Sequence, residues 1–371
     1  MVGVSLWLFL VTGTISFYPR EIHADIMMGG FLFLFSAGFL MTALPQFTAS
    51  FPMVTHEWII FGLLTLFLSV TALLQDRFPF HFTLALSFTF LIRFFIWRIF
   101  KRTAMPPPPL WFALIGLFVG LAGITLIAVY EKTGQTEVLL SLGRLFFYQG
   151  MQLFLVLGVG LFLIPNLLGN FSCSPPMGFG NSQPAYLASI PKPFWTIATL
   201  LIASFILEAH SCPILGRMIR AMLFSLVAFH DWKMMRLPRV RSTLSIGLWI
   251  SCWFLIGGLW LQVMAPNTDL HVRHLTYIGG FSLMTLMIAT RVTLAHGGHD
   301  LRIEKDSLLL KITLGLIVLA ALTRASARFL PEAFYWQHLG YSALAWMGAS
   351  FLWAWLCLPK IPALVTPDGN T

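Results

Sequence analysis

Long apolar runs follow one another along nearly the whole 371-residue chain. A helix of about 20 apolar residues crosses the hydrocarbon core of a bilayer, and about twelve runs approach that length. Hydrophobic residues make up 58% of the chain and charged residues only 10%, whereas a soluble domain carries roughly 25% charged residues. Too little polar material remains to cover a globule of this size in water. We therefore predict an all-α, polytopic integral membrane protein.

The predicted spans are separated by short breaks rich in proline, glycine and charge. Because no long linker divides them, we predict a single membrane-embedded domain over residues 1–371, with no separate soluble domain. The longest loop is expected at residues 168–192, where prolines and glycines are frequent. The spans are expected at about residues 2–17, 26–46, 57–75, 80–100, 110–130, 145–167, 193–209, 213–229, 245–264, 274–294, 307–329 and 335–358.

The positive charges indicate an orientation in the membrane. The two most basic loops follow the fourth and eighth predicted spans and contain Lys101, Arg102, Lys233, Arg236, Arg239 and Arg241. Cytoplasmic loops carry an excess of lysine and arginine, so these loops and both termini are predicted to be cytoplasmic, in the cell inner membrane. The net charge of +9 is then a sign of topology and of contact with the bilayer. It does not indicate nucleic-acid binding.

Histidines lie at the predicted ends of several spans. Two segments stand out: His23-Ala-Asp-Ile-Met-Met-Gly-Gly-Phe and His274-Leu-Thr-Tyr-Ile-Gly-Gly-Phe. Each begins with a histidine at an outer helix end and reaches Gly-Gly-Phe about one and a half turns later, and small residues allow a close approach of backbones or of a flat ligand. Imidazole is the commonest side-chain metal ligand and binds haem iron axially. The alternative is that these histidines only reach towards the membrane interface.

The spacing of the histidines limits which of them can share a metal ion. His274 and His296 lie on one predicted helix, 22 residues apart, or roughly 33 Å, so they must belong to different sites. His296 and His299 lie three residues apart at the inner end, and they form either part of a second metal site or a solvated loop. His271 and His274 have the same spacing and could bind copper or zinc together.

The two segments resemble motifs of the NnrS family, a family of membrane proteins. The first resembles the pattern H-A-H-E-M-L-x-G-F…G-F-L-L-T-A-V-P, and the second resembles H-x-L-T-x-G…M-x-x-x-M-x-T-R-x-x-L-G-H-T-G-R. The shared residues are His23, Ala24, Met27, Gly30, Gly38, Phe39, Leu40, Thr42, Ala43, Pro45, His274, Leu275, Thr276, Gly279, Thr290, Arg291, Leu294, His296 and Gly298. Asp25 departs from the pattern, because it stands where the family has its second histidine.

This resemblance implies a protein that contains haem and copper and takes part in nitric oxide metabolism or nitrosative-stress resistance. His23 and His274 are then expected to be ligands near the outer face, and His296 a ligand or proton carrier near the inner face. Arg20 and Arg273, close in sequence to these ligands, are candidate partners for haem carboxylates. Copper is the weaker expectation, because a site that used the second imidazole would lose it at Asp25.

The expected function is therefore haem-dependent binding or processing of nitric oxide or another small diatomic molecule. No catalytic residue is assigned from the sequence. Two alternatives remain: a secondary transporter, which is also built from many spans, and an accessory or assembly subunit of a respiratory haem-copper complex. The second alternative predicts that the protein is isolated together with respiratory-chain proteins.

Overall fold

The structure is a computed structural model that describes residues 1–74, 76–134, 136–170 and 192–361. Within these ranges it contains helices and no strand, and 83% of the described residues are helical, which confirms the all-α class. Most of the loop predicted at residues 168–192 lies outside the described residues. Helices are the expected solution here, since an apolar helix satisfies every backbone hydrogen bond within itself when water is absent.

Each of the twelve predicted spans corresponds to a helix, and one further single-turn helix, α11, lies between them. In chain order the helices are α1 (Val2–Val11), α2 (Arg20–Thr48), α3 (Thr55–Thr71), α4 (Phe78–Phe100), α5 (Leu110–Thr133), α6 (Glu137–Leu168), α7 (Lys192–His210), α8 (Pro213–Asp231), α9 (Thr243–Met264), α10 (Leu270–His296), α11 (Ile303–Asp306), α12 (Leu308–Phe329) and α13 (Glu332–Lys360).

Nine of the helices in the described ranges are long and apolar enough to cross a membrane. The shorter apolar helices are α1, α3 and residues Phe194–His210 of α7. The chain is thus a multi-pass membrane protein in contact with the lipid bilayer. The total of about twelve spans and the cytoplasmic position of both termini stay predictions.

The helices group into two compact units. One unit, Arg20–Met235, contains α2 to α8, and we call it the 20–235 unit. The other comprises Met1–Pro19 and Arg236–Thr371, and therefore contains α1 and α9 to α13; we call it the terminal unit. The two histidine segments are divided between them, since His23 lies in the 20–235 unit and His274 in the terminal unit. The single membrane-embedded domain stays a prediction.

Four of the helices contain a π-helical segment, in which each turn holds an extra residue. Such segments often lie at functional sites. They occur at Ile26–Leu32 in α2, Leu145–Gly150 in α6, Val227–Asp231 in α8 and Leu275–Ser282 in α10. The segments of α2 and α10 both contain the Gly-Gly-Phe sequence, so the resemblance between these two regions extends from sequence to backbone geometry.

Candidate functional site

Asp25 is the centre of a polar group in the 20–235 unit. It lies on α2 directly before the π-helical segment, and only 3% of its surface is exposed. Arg77 donates two hydrogen bonds to Asp25 Oδ2, from Nε at 2.9 Å and from Nη2 at 2.6 Å. The hydroxyl of Tyr148, in the π-helical segment of α6, donates to Asp25 Oδ1 at 2.9 Å. Both oxygens of the buried carboxylate therefore have partners.

His81 continues this group from Asp25 to Glu131. The imidazole is fully buried on α4, with Nε2 3.1 Å from Asp25 Oδ2 and Nδ1 2.8 Å from Glu131 Oε2. An ionised carboxylate only accepts hydrogen bonds, so His81 satisfies both carboxylates when both of its nitrogens carry protons. The result is a carboxylate–imidazole–carboxylate chain that links α2, α4 and α5.

Glu21 and Arg144 lie at the more exposed side of the same group. Arg144 donates to Glu21 Oε2 at 2.7 Å, and Arg77 donates to the same oxygen at 3.3 Å. Burial disfavours the charge on Arg77, but Asp25 outweighs it and raises the pKa of this guanidinium further above its usual range. We call the whole group the Asp25 cluster; its members are Glu21, Asp25, Arg77, His81, Glu131, Arg144 and Tyr148.

His274, in the terminal unit, is held in one tautomer. Its Nδ1 lies 2.7 Å from the carbonyl oxygen of Leu270, one turn earlier on α10. A carbonyl oxygen only accepts, so Nδ1 carries a proton, and in the neutral ring the lone pair is on Nε2. Metal-binding histidines commonly donate their second ring nitrogen to a backbone carbonyl in this way. The protonation of this ring therefore fits a residue that would hold haem iron.

His271 has the opposite tautomer. Its Nδ1 lies 2.8 Å from Nη1 of Arg324, on α12. A guanidinium only donates, so Nδ1 of His271 accepts and the proton of the neutral ring is on Nε2. The lone pair that a metal would need is therefore already used by Arg324. We call the basic group at this end of the terminal unit the Arg324 cluster; its members are His271, Arg273, His274, Arg324 and Arg328.

The other histidines and the arginine expected at the site range from half-buried to exposed. His23 is half-buried on α2, two residues before Asp25, and Arg20 is exposed at the first residue of that helix. His296 is exposed at the last residue of α10, and exposed His299 has Nε2 3.2 Å from the carbonyl oxygen of Lys360. The structure thus brings His271, Arg273 and His274 together on one turn and places His296 at the far end of the same helix.

The donor groups do not match a copper centre. Over the described ranges, no group of three or more His, Cys, Asp or Glu side chains is arranged to hold a metal ion. Asp25, His81 and Glu131 are side chains of these types that lie together in the Asp25 cluster. The guanidinium of Arg77 is bound directly to Asp25, however, and would repel a cation. We therefore derive no role for copper from this arrangement.

Two residues of the segment that begins at His274, Thr290 and Arg291, contact other helices. The indole nitrogen of Trp353 donates to Thr290 Oγ1 at 2.9 Å, which joins α13 to α10. Arg291 pairs with buried Glu304 of α11 at 2.5 Å. These contacts explain how part of the motif can serve packing between helices.

Sequence reasoning missed most of the Asp25 cluster. Arg77 and His81 lie at the start of the span expected at residues 80–100, as Asp25 lies at the start of the span expected at residues 26–46. Their partners could not be assigned, because Asp25 and His81 are 56 residues apart in sequence. The role of Tyr148 depends on the π-helical segment that carries it, and no local pattern predicted that segment.

Comparison with protein families gives one match that covers residues 1–366, and the family is described as NnrS protein. The matched region includes both Gly-Gly-Phe segments and all thirteen helices. Neither a curated protein nor a solved structure matches the chain.

Proposed function

This chain belongs to the NnrS family, and from that premise we propose that it is a haem-binding protein of nitric oxide metabolism or nitrosative-stress resistance. We propose that it lies in the inner (cytoplasmic) membrane with both termini in the cytoplasm. Haem would supply the iron at which nitric oxide or a similar diatomic molecule binds. The protein would supply the axial ligand, the orientation and the electrostatic environment.

The hydrogen bond from His274 to Leu270 is the observation that supports the haem proposal best. It fixes the tautomer of the neutral ring, with the proton on Nδ1 and the lone pair on Nε2. His274 also directly precedes the π-helical segment that contains the Gly-Gly-Phe sequence. His23, which occupies the related place in the 20–235 unit, is a second candidate ligand.

The remaining site residues have supporting roles in this proposal. Arg273, and Arg20 in the other unit, are candidate partners for the carboxylates of haem. His296 and His299, at the far end of α10, are proposed proton carriers rather than ligands of the same iron.

Optical spectroscopy of the purified protein tests the proposal. The wild type should show a Soret band that shifts when nitric oxide is added, and His274→Ala should lose most of that band. His230→Ala is the matched control, because the side chain of His230 is 86% exposed and its loss should leave the spectrum unchanged. His23→Ala, measured in parallel, reports whether a second histidine contributes. A wild-type protein without haem, or an unchanged spectrum in His274→Ala, would contradict the assignment.

Proton-coupled transport is a second candidate function, and the Asp25 cluster favours it. Buried chains of Asp, Glu and His within membrane helices are typical of proton relays. Here Asp25, His81 and Glu131 form such a chain. A purified protein without a Soret band that carries protons across proteoliposomes, with the flux abolished by His81→Gln, would favour this function over haem binding.

A further inference from the structure

Three arginines are buried within the described ranges, and they differ in their partners. Arg98 binds both oxygens of Glu57 at 2.6 Å, and Arg220 is paired with Glu208. The hydrogen bond of Arg324 goes instead to the imidazole of His271. Two of the three buried guanidiniums therefore have a carboxylate as counter-ion, whereas Arg324 has a neutral ring.

The charge of Arg324 is not neutralised by the residues that the structure describes. The side chain is only 7% exposed, and no described carboxylate forms an ion pair with it. Arginine keeps its proton in proteins, and His271 must be neutral at Nδ1 to accept from it. Isolated charges are costly away from water and in membrane helices they usually face a partner or a ligand.

The surroundings of Arg324 add positive charge and leave hydrogen-bond donors available. Its Nε and Nη2 make no hydrogen bond to the described part of the chain. Arg328 lies four residues further along α12 and is exposed. His271 is 91% buried, with its ring centroid 5.9 Å from that of Tyr335. The two donors of Arg324 have the parallel geometry that binds a planar oxyanion at two points.

We propose that Arg324, oriented by His271, is a binding site for a planar oxyanion: a carboxylate or a small inorganic oxyanion. The anion accepts from Nε and Nη2 of Arg324 and supplies the counter-ion that Glu57 and Glu208 supply elsewhere. Two sources share this chemistry. One is a free anion. The other is a carboxylate of a haem bound at His274, because His274 lies three residues from His271 on the same helix face. Only the haem source rests on the proposed function.

Thermal unfolding of the haem-free, full-length protein in detergent tests the site. Acetate or nitrate is titrated while a bulky sulfonate keeps the ionic strength constant. In the wild type the melting temperature should rise by several degrees and saturate, because a ligand that binds only the folded state stabilises it. Arg324→Gln should not respond, and without added anion it should melt no lower than the wild type.

Two further variants keep the test decisive. Lys311→Gln removes one positive charge from an exposed position near the other end of α12, and it should keep the wild-type response. Arg324→Lys keeps the charge but loses the two-point geometry, so its half-saturating concentration should rise several-fold; it also replaces Arg324→Gln if that variant does not fold. The proposal is overturned if the haem-free wild type shows no saturable response, or if Arg324→Gln responds as strongly as the wild type.

Binding of haem and of its dimethyl ester then distinguishes the two sources. If a haem carboxylate occupies the site, the wild type binds the ester more weakly than haem, Arg324→Gln binds both equally, and acetate has no effect after haem loading. If the source is a free anion, the wild type binds both alike and acetate still raises the melting temperature. A protein that binds no haem contradicts the proposed function, yet the anion titration still decides whether the site exists.

Discussion

Helices α2 and α10 begin with the same local pattern but lie in opposite electrostatic surroundings. Each has a histidine in its first turns, a π-helical segment and the sequence Gly-Gly-Phe. In the Asp25 cluster, three carboxylates face two guanidiniums and His81. In the Arg324 cluster, Arg324 is hydrogen-bonded to the neutral ring of His271, and no described carboxylate forms an ion pair with it. The Asp25 cluster is balanced by its own residues, whereas the counter-ion of Arg324 is the external anion that we propose above.

The two glycine pairs also differ in how closely their neighbours approach. A methyl group added at Gly279 would lie 2.4 Å from the Phe254 ring of α9, and one at Gly29 would lie 2.9 Å from Leu84 of α4. At Gly30 the nearest atom would be 3.6 Å away, in Ile26 of the same helix. The first glycine of each pair is therefore a packing contact between helices, while Gly30 is not closely packed.

The largest expected effect comes from removing the central carboxylate charge of the Asp25 cluster. Asp25→Asn leaves buried His81 and half-buried Arg77 without their main counter-ion, which should lower the free energy of unfolding by about 3–5 kcal/mol. Unfolding in detergent measures the change. Asp76→Asn is the control: Asp76 is exposed and accepts from the Phe78 amide, a role that Asn can keep, so the change should stay below about 0.5 kcal/mol.

The stability of Asp25→Asn can also be compared with that of Arg324→Gln, which tests the contrast between the two clusters. Asp25→Asn should be clearly less stable than the wild type, whereas Arg324→Gln should not be. Equal losses in the two variants would mean that both clusters are neutralised within the protein, and the contrast between them would fail.

A smaller effect is expected from the glycines. Gly279→Ala should destabilise the terminal unit by about 1–3 kcal/mol, because the methyl group overlaps Phe254 and the helices must separate. Gly30→Ala should instead be neutral or slightly stabilising, by less than about 1 kcal/mol, since alanine favours helix and meets no close atom. Thermal unfolding of both variants measures the difference; equal melting temperatures would show that the π-helical segments tolerate alanine alike.

The smallest effect is expected at the exposed side of the Asp25 cluster. Glu21 and Arg144 each have 34% of the side chain exposed, and ion pairs exposed to solvent contribute about 0–1 kcal/mol. A double-mutant cycle with Glu21→Gln and Arg144→Gln should therefore give a coupling energy below about 1 kcal/mol. A larger value would extend the tightly coupled core of the cluster from Asp25 out to Glu21.

Much of the fold was predictable from sequence because the bilayer imposes a local rule. A helix that spans the membrane must be apolar over about 20 residues, and hydropathy therefore located all twelve runs that became helices. The exact ends of the helices were less predictable. The span expected at residues 26–46 belongs to a helix that begins earlier, at Arg20. The first two turns of this helix carry polar residues of the Asp25 cluster, so hydropathy did not include them in the span. A run that is apolar only in part can still be helical.

The sequence by itself determined the membrane class, the order of the helices and the family resemblance of the His23 and His274 segments. Only the tertiary structure decided which side chains meet: Asp25 with His81 and Arg77, and His271 with Arg324. It also decided that Nδ1 of His274 donates to a backbone carbonyl while Nδ1 of His271 accepts from Arg324. The physical reason is the distance along the sequence over which each property is set. Hydropathy is a property of neighbouring residues, whereas proton positions and ion pairs depend on contacts between helices 50 or more residues apart.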